Sequence, residues 1–163
     1  RENFGAPLVN ICNAVLDLCR EFPGSKVLYP VHPNPNVRDT IKPLLGNHPQ
    51  IELVDPLPYP ELVAAMQQAR LILTDSGGIQ EEAPALAKPV LVLREVTERP
   101  EAVELGVARI VGTTRENIVK ASSQLLRDEA AYAEMARGGS PYGDGRAAGR
   151  IVEAVEQYWV QAR

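Results

Sequence analysis

The sequence predicts an α/β domain built on a doubly wound parallel sheet, and three observations carry that prediction. Short apolar runs recur along the 163 residues with almost no polar alternation. Segments with helical spacing of apolar residues lie between them. The two alternate in the manner of βαβ crossovers, which are right-handed and place helices on both faces of one sheet. A continuous apolar run, unlike an alternating one, marks a strand covered on both faces.

Taken in order, the first helix is marked by Leu8, Ile11, Cys12, Val15, Leu16 and Cys19, a stripe at spacings of three and four that Pro23-Gly24 ends. Strands follow at Lys26 to Val31 and at Ile51 to Val54. A helix marked by Leu62, Val63 and Met66 leads to a third strand at Leu71 to Thr74. Val90 to Leu93 and Ala108 to Val111 supply two more. Ile118, Val119, Ser122, Leu125 and Leu126 mark another helix, and Ile151, Val152, Val155 and Trp159 a terminal one. Between these two, Gly138 to Gly149 is dense in glycine and contains Pro141, so the chain is expected to change direction there. No repeat, low-complexity tract or internal linker interrupts the pattern, and residues 1–163 read as one domain.

Composition narrows the class of partner. With 17 basic against 21 acidic residues, the chain lacks the positive surface that tracks a nucleic-acid backbone. One small anion site remains compatible with that balance. Cys12 and Cys19 sit seven residues apart on one predicted helix, about 10 Å along its axis at 1.5 Å per residue, too far to pair with each other. Two buried free thiols suit a reducing cytoplasm, and neither is expected to be a nucleophile. No apolar run approaches the roughly 20 residues that span a bilayer, so no membrane partner is expected.

In open α/β sheets, ligands bind outside the carboxyl ends of the strands, where loops lead into helices. The run Leu71-Ile72-Leu73-Thr74-Asp75-Ser76-Gly77-Gly78 is such a strand, turn and helix start. Gly77 and Gly78, lacking a β-carbon, let an anion reach the main chain, and the helix start adds unpaired N–H donors and a partial positive charge. A phosphate suits that place, although Ser76 as a simple N-cap above a tight turn accounts equally well for the pattern. It is neither a Walker loop nor a Gly-x-Gly-x-x-Gly fingerprint. Glu82, six residues beyond Ser76, lies about 1.7 helical turns on and reaches the same helix mouth. Its carboxylate can accept from two vicinal hydroxyls of a ribose, or can be a solvated charge favoured by the helix dipole. Arg94 and Arg99 follow the next strand, where a guanidinium can clamp a diphosphate or pair with neighbouring carboxylates. His32 ends the first strand in a Pro- and Asn-rich loop, open to a ligand or to a structural hydrogen bond.

These runs together resemble one family. Thr74-Asp75-Ser76-Gly77-Gly78-Ile79-Gln80-Glu81-Glu82-Ala83, then Lys88-Pro89-Val90-Leu91-Val92 and Thr97-Glu98-Arg99-Pro100-Glu101, look like the C-terminal domain of bacterial non-hydrolysing UDP-N-acetylglucosamine 2-epimerases. His32-Pro33-Asn34-Pro35-Asn36-Val37 resembles the family's His-x-Asn-Pro loop, and Ser140-Pro141-Tyr142-Gly143-Asp144-Gly145 its Asn-x-x-Tyr-Gly-Asp-Gly run, with Ser140 at a position where the family often has Asn. Arg1-Glu2-Asn3-Phe4-Gly5 resembles the end of its His-Arg-Arg-Glu-Asn-x-Gly motif. The likeness thus covers essentially the whole chain.

The resemblance implies a Rossmann-like domain, the second of two in a GT-B-type enzyme with the nucleotide sugar between them. It implies that Ser76, Gly77 and Gly78 hold the diphosphate, that Glu82 binds the ribose, and that Arg99 contributes to the UDP-sugar site. It further implies a regulatory UDP-sugar site at His32, no cofactor or metal, a homodimer, and a cytoplasmic role in cell-surface polysaccharide biosynthesis. The family interconverts UDP-N-acetylglucosamine and UDP-N-acetylmannosamine by eliminating UDP and adding it back. Its acid/base carboxylates belong to the N-terminal domain, so residues 1–163 are not expected to turn over substrate unaided. A GT-B glycosyltransferase domain also uses a glycine turn and a ribose-binding Glu, and a pure UDP-sugar binding module is the non-enzymatic alternative. In a sheet of order 3-2-1-4-5-6 the family's first strand is central and runs into the motif that ends at Gly5. The strands at Lys26 to Val31 and Leu71 to Thr74 are therefore expected to flank a central position and not to pair directly.

Overall fold

In the computed structural model, which describes residues 3–161, every apolar run forms a short parallel strand within one residue of its expected bounds. The chain begins with α1 (Ala6–Glu21), β1 (Val27–Pro30), α2 (Pro35–Leu45), β2 (Ile51–Val54) and α3 (Tyr59–Gln68). It continues through β3 (Ile72–Thr74), α4 (Gly77–Ala85), β4 (Val90–Val92), α5 (Pro100–Glu104) and β5 (Ala108–Ile110). Three helices complete it: α6 (Arg115–Arg127), α7 (Glu129–Met135) and α8 (Ala147–Gln161). Arg1 and Glu2 of the opening motif lie outside the described residues.

The strands form two ladders. β1 pairs with β2, Val27 opposite Ile51, and β3, β4 and β5 pair in that order, with Val90 between Ile72 and Ala108. The chain steps outward from β1 to β2, returns, and steps outward from β3 to β5. That reversal is the doubly wound arrangement. β1 and β3 do not pair, as expected, and no strand among the described residues joins them.

Helices cover both faces of the three-stranded ladder, and strand alternation explains how. Leu91 and Leu93 point to one side, where they meet Ile11 and Ala14 of α1, Ile118, Ala121 and Leu125 of α6, and Met135 of α7. Val90 and Val92 point to the other, against Met66 of α3, Ala83 of α4 and Ala102 of α5. All three residues of β4 are buried, which is why that run carries no polar alternation. α1 divides its apolar surface between the two ladders. Ile11 and Ala14 face β4, while Leu8, Cys12, Val15 and Cys19 pack with Ile41, Leu45 and Ile51 of the two-stranded half. Cys12 and Cys19 are buried and unpaired, and burial pushes the Cys12 thiol up to about 11.

α1 is also tied to α6 by charge. Asp17 accepts from Arg115 Nε and a terminal nitrogen at 2.5 and 2.7 Å, and from Arg20 at 2.8 Å. The hydrogen bonds from Arg115, then the charges of Arg115 and Arg20, hold the Asp17 carboxyl below its ordinary value of 3.8. A carboxyl depressed in the folded state stabilises above its unfolded pKa, and that stabilisation is lost as pH falls through the depressed value. Asp17→Asn is therefore expected to melt below wild type at neutral pH, with the gap closing as the solution is taken below pH 3.8. A gap of constant size down to strong acid would show that Asp17 acts through something other than its charge.

The C-terminal stripe forms a helix, as its period predicts, but α8 does not join the core. Ile151, Val152, Val155 and Trp159 are 56–64 % exposed. The turn before it is set by Gly138, Gly139, Gly143 and Gly145, all at positive φ. α8 starts before Gly149, so that glycine sits inside the helix and not in the turn. No helix among the described residues is long and apolar enough to cross a membrane.

Candidate functional site

β3 ends at Thr74, and the chain turns through Asp75 and Ser76 into α4. Thr74 Oγ1 accepts from the Ser76 amide at 3.0 Å, which shapes the turn from within. The first helical bond of α4 runs from the Gln80 amide to the Ser76 carbonyl at 3.3 Å. The amides of Gly77, Gly78 and Ile79 thus precede the helical ladder and point out of the helix start. Ser76 occupies the N-cap position, yet its hydroxyl makes no capping bond. That observation removes the reading of Ser76 as a side-chain cap.

Neither glycine is demanded by the protein's own packing. A β-carbon on Gly77 would meet nothing within 4 Å, and one on Gly78 would meet only Ser76 Oγ and Glu82 Oε1, each at 3.9 Å. Neither residue has the positive φ that requires glycine. The same distances show that Ser76 and Glu82 flank Gly78 at one helix mouth, as the sequence spacing expects. Glu82 Oε2 is buried and has no hydrogen-bond partner. A buried carboxylate oxygen without a donor is costly, so this one marks where a donor belongs.

Arg99 reaches the same helix by a route that sequence spacing did not show. Its Nε donates to Glu81 Oε1, on the turn that also carries Glu82. The adjacent carboxylates therefore differ: Glu81 holds the arginine, and Glu82 Oε2 is left unpartnered. Glu98 accepts from the Arg99 guanidinium through its carbonyl, at 3.0 Å. A relay of side chains backs the pair. Gln80, 1 % exposed, donates to the Ser76 carbonyl at 3.3 Å and accepts from Thr97 Oγ1 at 2.5 Å. Thr97 Oγ1 in turn accepts from the Arg99 amide at 3.0 Å. The glycine turn and the arginine loop are one hydrogen-bonded unit.

Asn3 enters from the start of the chain, donating to Asp75 Oδ2 at 3.2 Å and to the Leu93 carbonyl at 3.1 Å. Asn3, Gln80 and Thr97 stand within the runs that carry the resemblance, but their spacing does not show their roles, since each acts through a partner 17 to 90 residues away. His32 is exposed at the end of β1, and its Nδ1 accepts from the Asn34 amide at 3.1 Å. It bonds to none of Ser76, Glu82 and Arg99, and the structural hydrogen bond is the one observed. A groove of about 390 Å³ between β5 and α6, lined by Glu95, Arg109, Asn117, Lys120 and Gln124, lies apart from the glycine turn.

Among known proteins, the family profile described as UDP-N-acetylglucosamine 2-epimerase matches residues 1–156. The chain is 50% identical over 159 residues to a probable UDP-N-acetylglucosamine 2-epimerase of Ralstonia nicotianae, covering 98% of this chain and 42% of that one. It is also 50% identical over 156 residues to the UDP-N-acetylglucosamine 2-epimerase of Escherichia coli, covering 96% and 42%. Two solved structures superpose at a TM-score of 0.93: the Staphylococcus aureus MnaA–UDP co-structure, at 46% identity over 98% of this chain and 44% of that one, and the Neisseria meningitidis UDP-GlcNAc 2-epimerase bound to UDP-GlcNAc, at 44% identity over 96% and 42%. The chain spans about two fifths of the length of these relatives. On a match that runs through nearly all of its residues, the chain belongs to the UDP-N-acetylglucosamine 2-epimerase family.

Proposed function

We propose that residues 1–163 form the UDP-binding domain of an enzyme that interconverts UDP-N-acetylglucosamine and UDP-N-acetylmannosamine. The observation that carries the proposal is an uncapped glycine helix start beside a buried carboxylate oxygen with no partner. The amides of Gly77 and Gly78 and the Ser76 hydroxyl suit the diphosphate, and Glu82 suits the vicinal hydroxyls of the ribose. Arg99 adds a cation beside them. Two relatives solved with UDP or UDP-GlcNAc support this choice of ligand.

The reaction removes the C2 proton and breaks the C1–O bond, releasing UDP and a 2-acetamidoglucal. UDP then adds back, with the proton delivered to the opposite face of C2. Charge accumulates on the departing diphosphate as the C1–O bond lengthens. Fixed N–H donors at the start of α4 and the Arg99 guanidinium stabilise it more in that state than in the ground state, which lowers the barrier. The groups that move the C2 proton are assigned to a further domain, since this chain corresponds to two fifths of its relatives. The edges of β1 and β3, which no strand among the described residues joins, suit one more parallel strand between them. A homodimer, a cytoplasmic place in cell-surface polysaccharide biosynthesis and a regulatory UDP-sugar site at His32 complete the proposal. The two unpaired buried thiols support that compartment.

The test is to incubate the full-length protein containing this chain with UDP-N-acetylglucosamine and no acceptor. UDP-N-acetylmannosamine is the expected product. Free N-acetylmannosamine with UDP would mean a hydrolysing enzyme, and tight binding without turnover would mean a binding module. In the same assay, His32→Ala should flatten activation of the reverse reaction by UDP-N-acetylglucosamine; unaltered activation would remove His32 from a regulatory site.

A further inference from the structure

Tyr142 lies in the glycine-rich segment after α7, a region the binding site above does not use. The segment is strapped across the ends of α4 and α5. Arg137 donates to the Leu105 carbonyl at 2.7 Å, and the Gly139 amide donates to the Pro84 carbonyl at 3.2 Å. A β-carbon on Gly139 would stand 2.6 Å from Leu105 Cδ2, so the strap lies close against the end of α5. Ser140 Oγ donates to the Gly143 carbonyl at 2.7 Å, closing a turn that presents Tyr142. The ring packs into the core beneath α4 and α5. Its hydroxyl accepts from the Ala102 amide at 3.3 Å and donates to the Arg99 carbonyl at 3.4 Å. Arg99 is the N-cap residue of α5 and makes no side-chain capping bond there. The cap on the Ala102 amide is supplied from 40 residues away.

We infer that Tyr142 is the positioning residue for Arg99: its hydroxyl fixes the backbone from which the Arg99 guanidinium reaches the diphosphate of the nucleotide, so that the strap after α7 belongs to the anion site. This rests on the reading of the Ser76–Glu82–Arg99 cluster as a UDP site. Three ties then orient the arginine loop: Thr97 to Gln80, Arg99 to Glu81, and Tyr142 to both ends of the first turn of α5. Only the last comes from outside the two segments it aligns. Burial, first, and the nearby Glu101 and Glu81 raise the Tyr142 phenol, which keeps its proton and can donate and accept at once.

The experiment is a double-mutant cycle with Tyr142→Phe and Arg99→Ala, titrating the chain with UDP by calorimetry and with uridine by NMR. The phenylalanine keeps the ring and its packing and removes only the oxygen. Tyr142→Phe is expected to weaken UDP binding about tenfold, the scale of one lost hydrogen bond, and to leave uridine unaffected. In an Arg99→Ala background the same change is expected to have no further effect on UDP. Equal losses for UDP and uridine, a full loss in both backgrounds, or no loss at all would overturn the inference while leaving the UDP site intact. Failure of the wild-type chain to take up UDP would overturn the functional reading. Hydrogen exchange at the Ala102 amide then decides the latch: faster exchange in Tyr142→Phe sustains it, and an unchanged rate removes it.

Discussion

Replacing Ser76 and Glu82 together by alanine is expected to weaken UDP binding by roughly two to four orders of magnitude while leaving the fold as stable as before. Each side chain is assigned a hydrogen bond with a charged group at one end, Ser76 to phosphate and Glu82 to ribose. Such bonds contribute about 1.5–3 kcal/mol apiece, and every 1.4 kcal/mol is about tenfold in affinity. Stability is expected to hold for a stated reason. A serine that caps a helix costs about 1 kcal/mol when truncated, but the Ser76 hydroxyl caps nothing. Truncating Glu82 removes a buried oxygen that has no partner. Calorimetry with UDP and a thermal melt on the same samples check both halves. Unchanged UDP binding would refute the site, and a fall in melting temperature with unchanged binding would return Ser76 to the role of an ordinary cap.

The largest effect on stability is expected from Leu91→Ala. Leu91 is fully buried on β4, the middle strand of its ladder, and packs with Ile11, Ala14, Val111, Ile118 and Leu125. Side chains from α1, α6 and the strands meet there, so the hole cannot collapse from any one side. Truncations of this kind cost about 2–5 kcal/mol, against a total stability on the order of 5–15 kcal/mol. At about 3 kcal/mol the melting temperature of a chain this long falls by roughly 6–12 °C. Leu28→Ala, on the 43 % exposed face of β1, is the control and should cost under about 1 kcal/mol. Similar losses at the two positions would mean that β4 is not the centre of the core.

What the sequence disclosed follows the range of the interactions involved. Strands covered on both faces announce themselves as unbroken apolar runs, and all five were located to within a residue. The glycine turn was legible because its parts, Thr74 to Glu82, are consecutive. α2, α5 and α7 were not singled out. α2 and α5 begin on prolines that read equally well as loop, and α7 has seven residues, two helical turns in which a period barely shows. The terminal stripe was legible as a helix but not as an exposed one, because periodicity shows that a face is apolar and not what it meets. In the site, Arg99 was visible as a cation but its partner was not. Glu98, its immediate neighbour, does not form that ion pair, and Glu81, 18 residues back, does. Ties of this reach, Tyr142 to α5 and Asn3 to Leu93 among them, depend on how the loops stack at the ends of the strands.

The division of α1 between the two ladders bears on how the molecule comes apart. With no backbone ladder between β1 and β3, the unit of β1, α2 and β2 is attached mainly through Leu8, Cys12, Val15 and Cys19. Proteins open in contiguous cooperative units whose free energies differ with the contacts each makes. Here the smaller unit can detach while β3, β4 and β5 keep their ladder. Its amides are expected to exchange with solvent at a lower free energy than those of β4. The glycine turn, Glu82 and Arg99 all ride on the larger unit, so the proposed nucleotide site is expected to outlive the first opening of the chain.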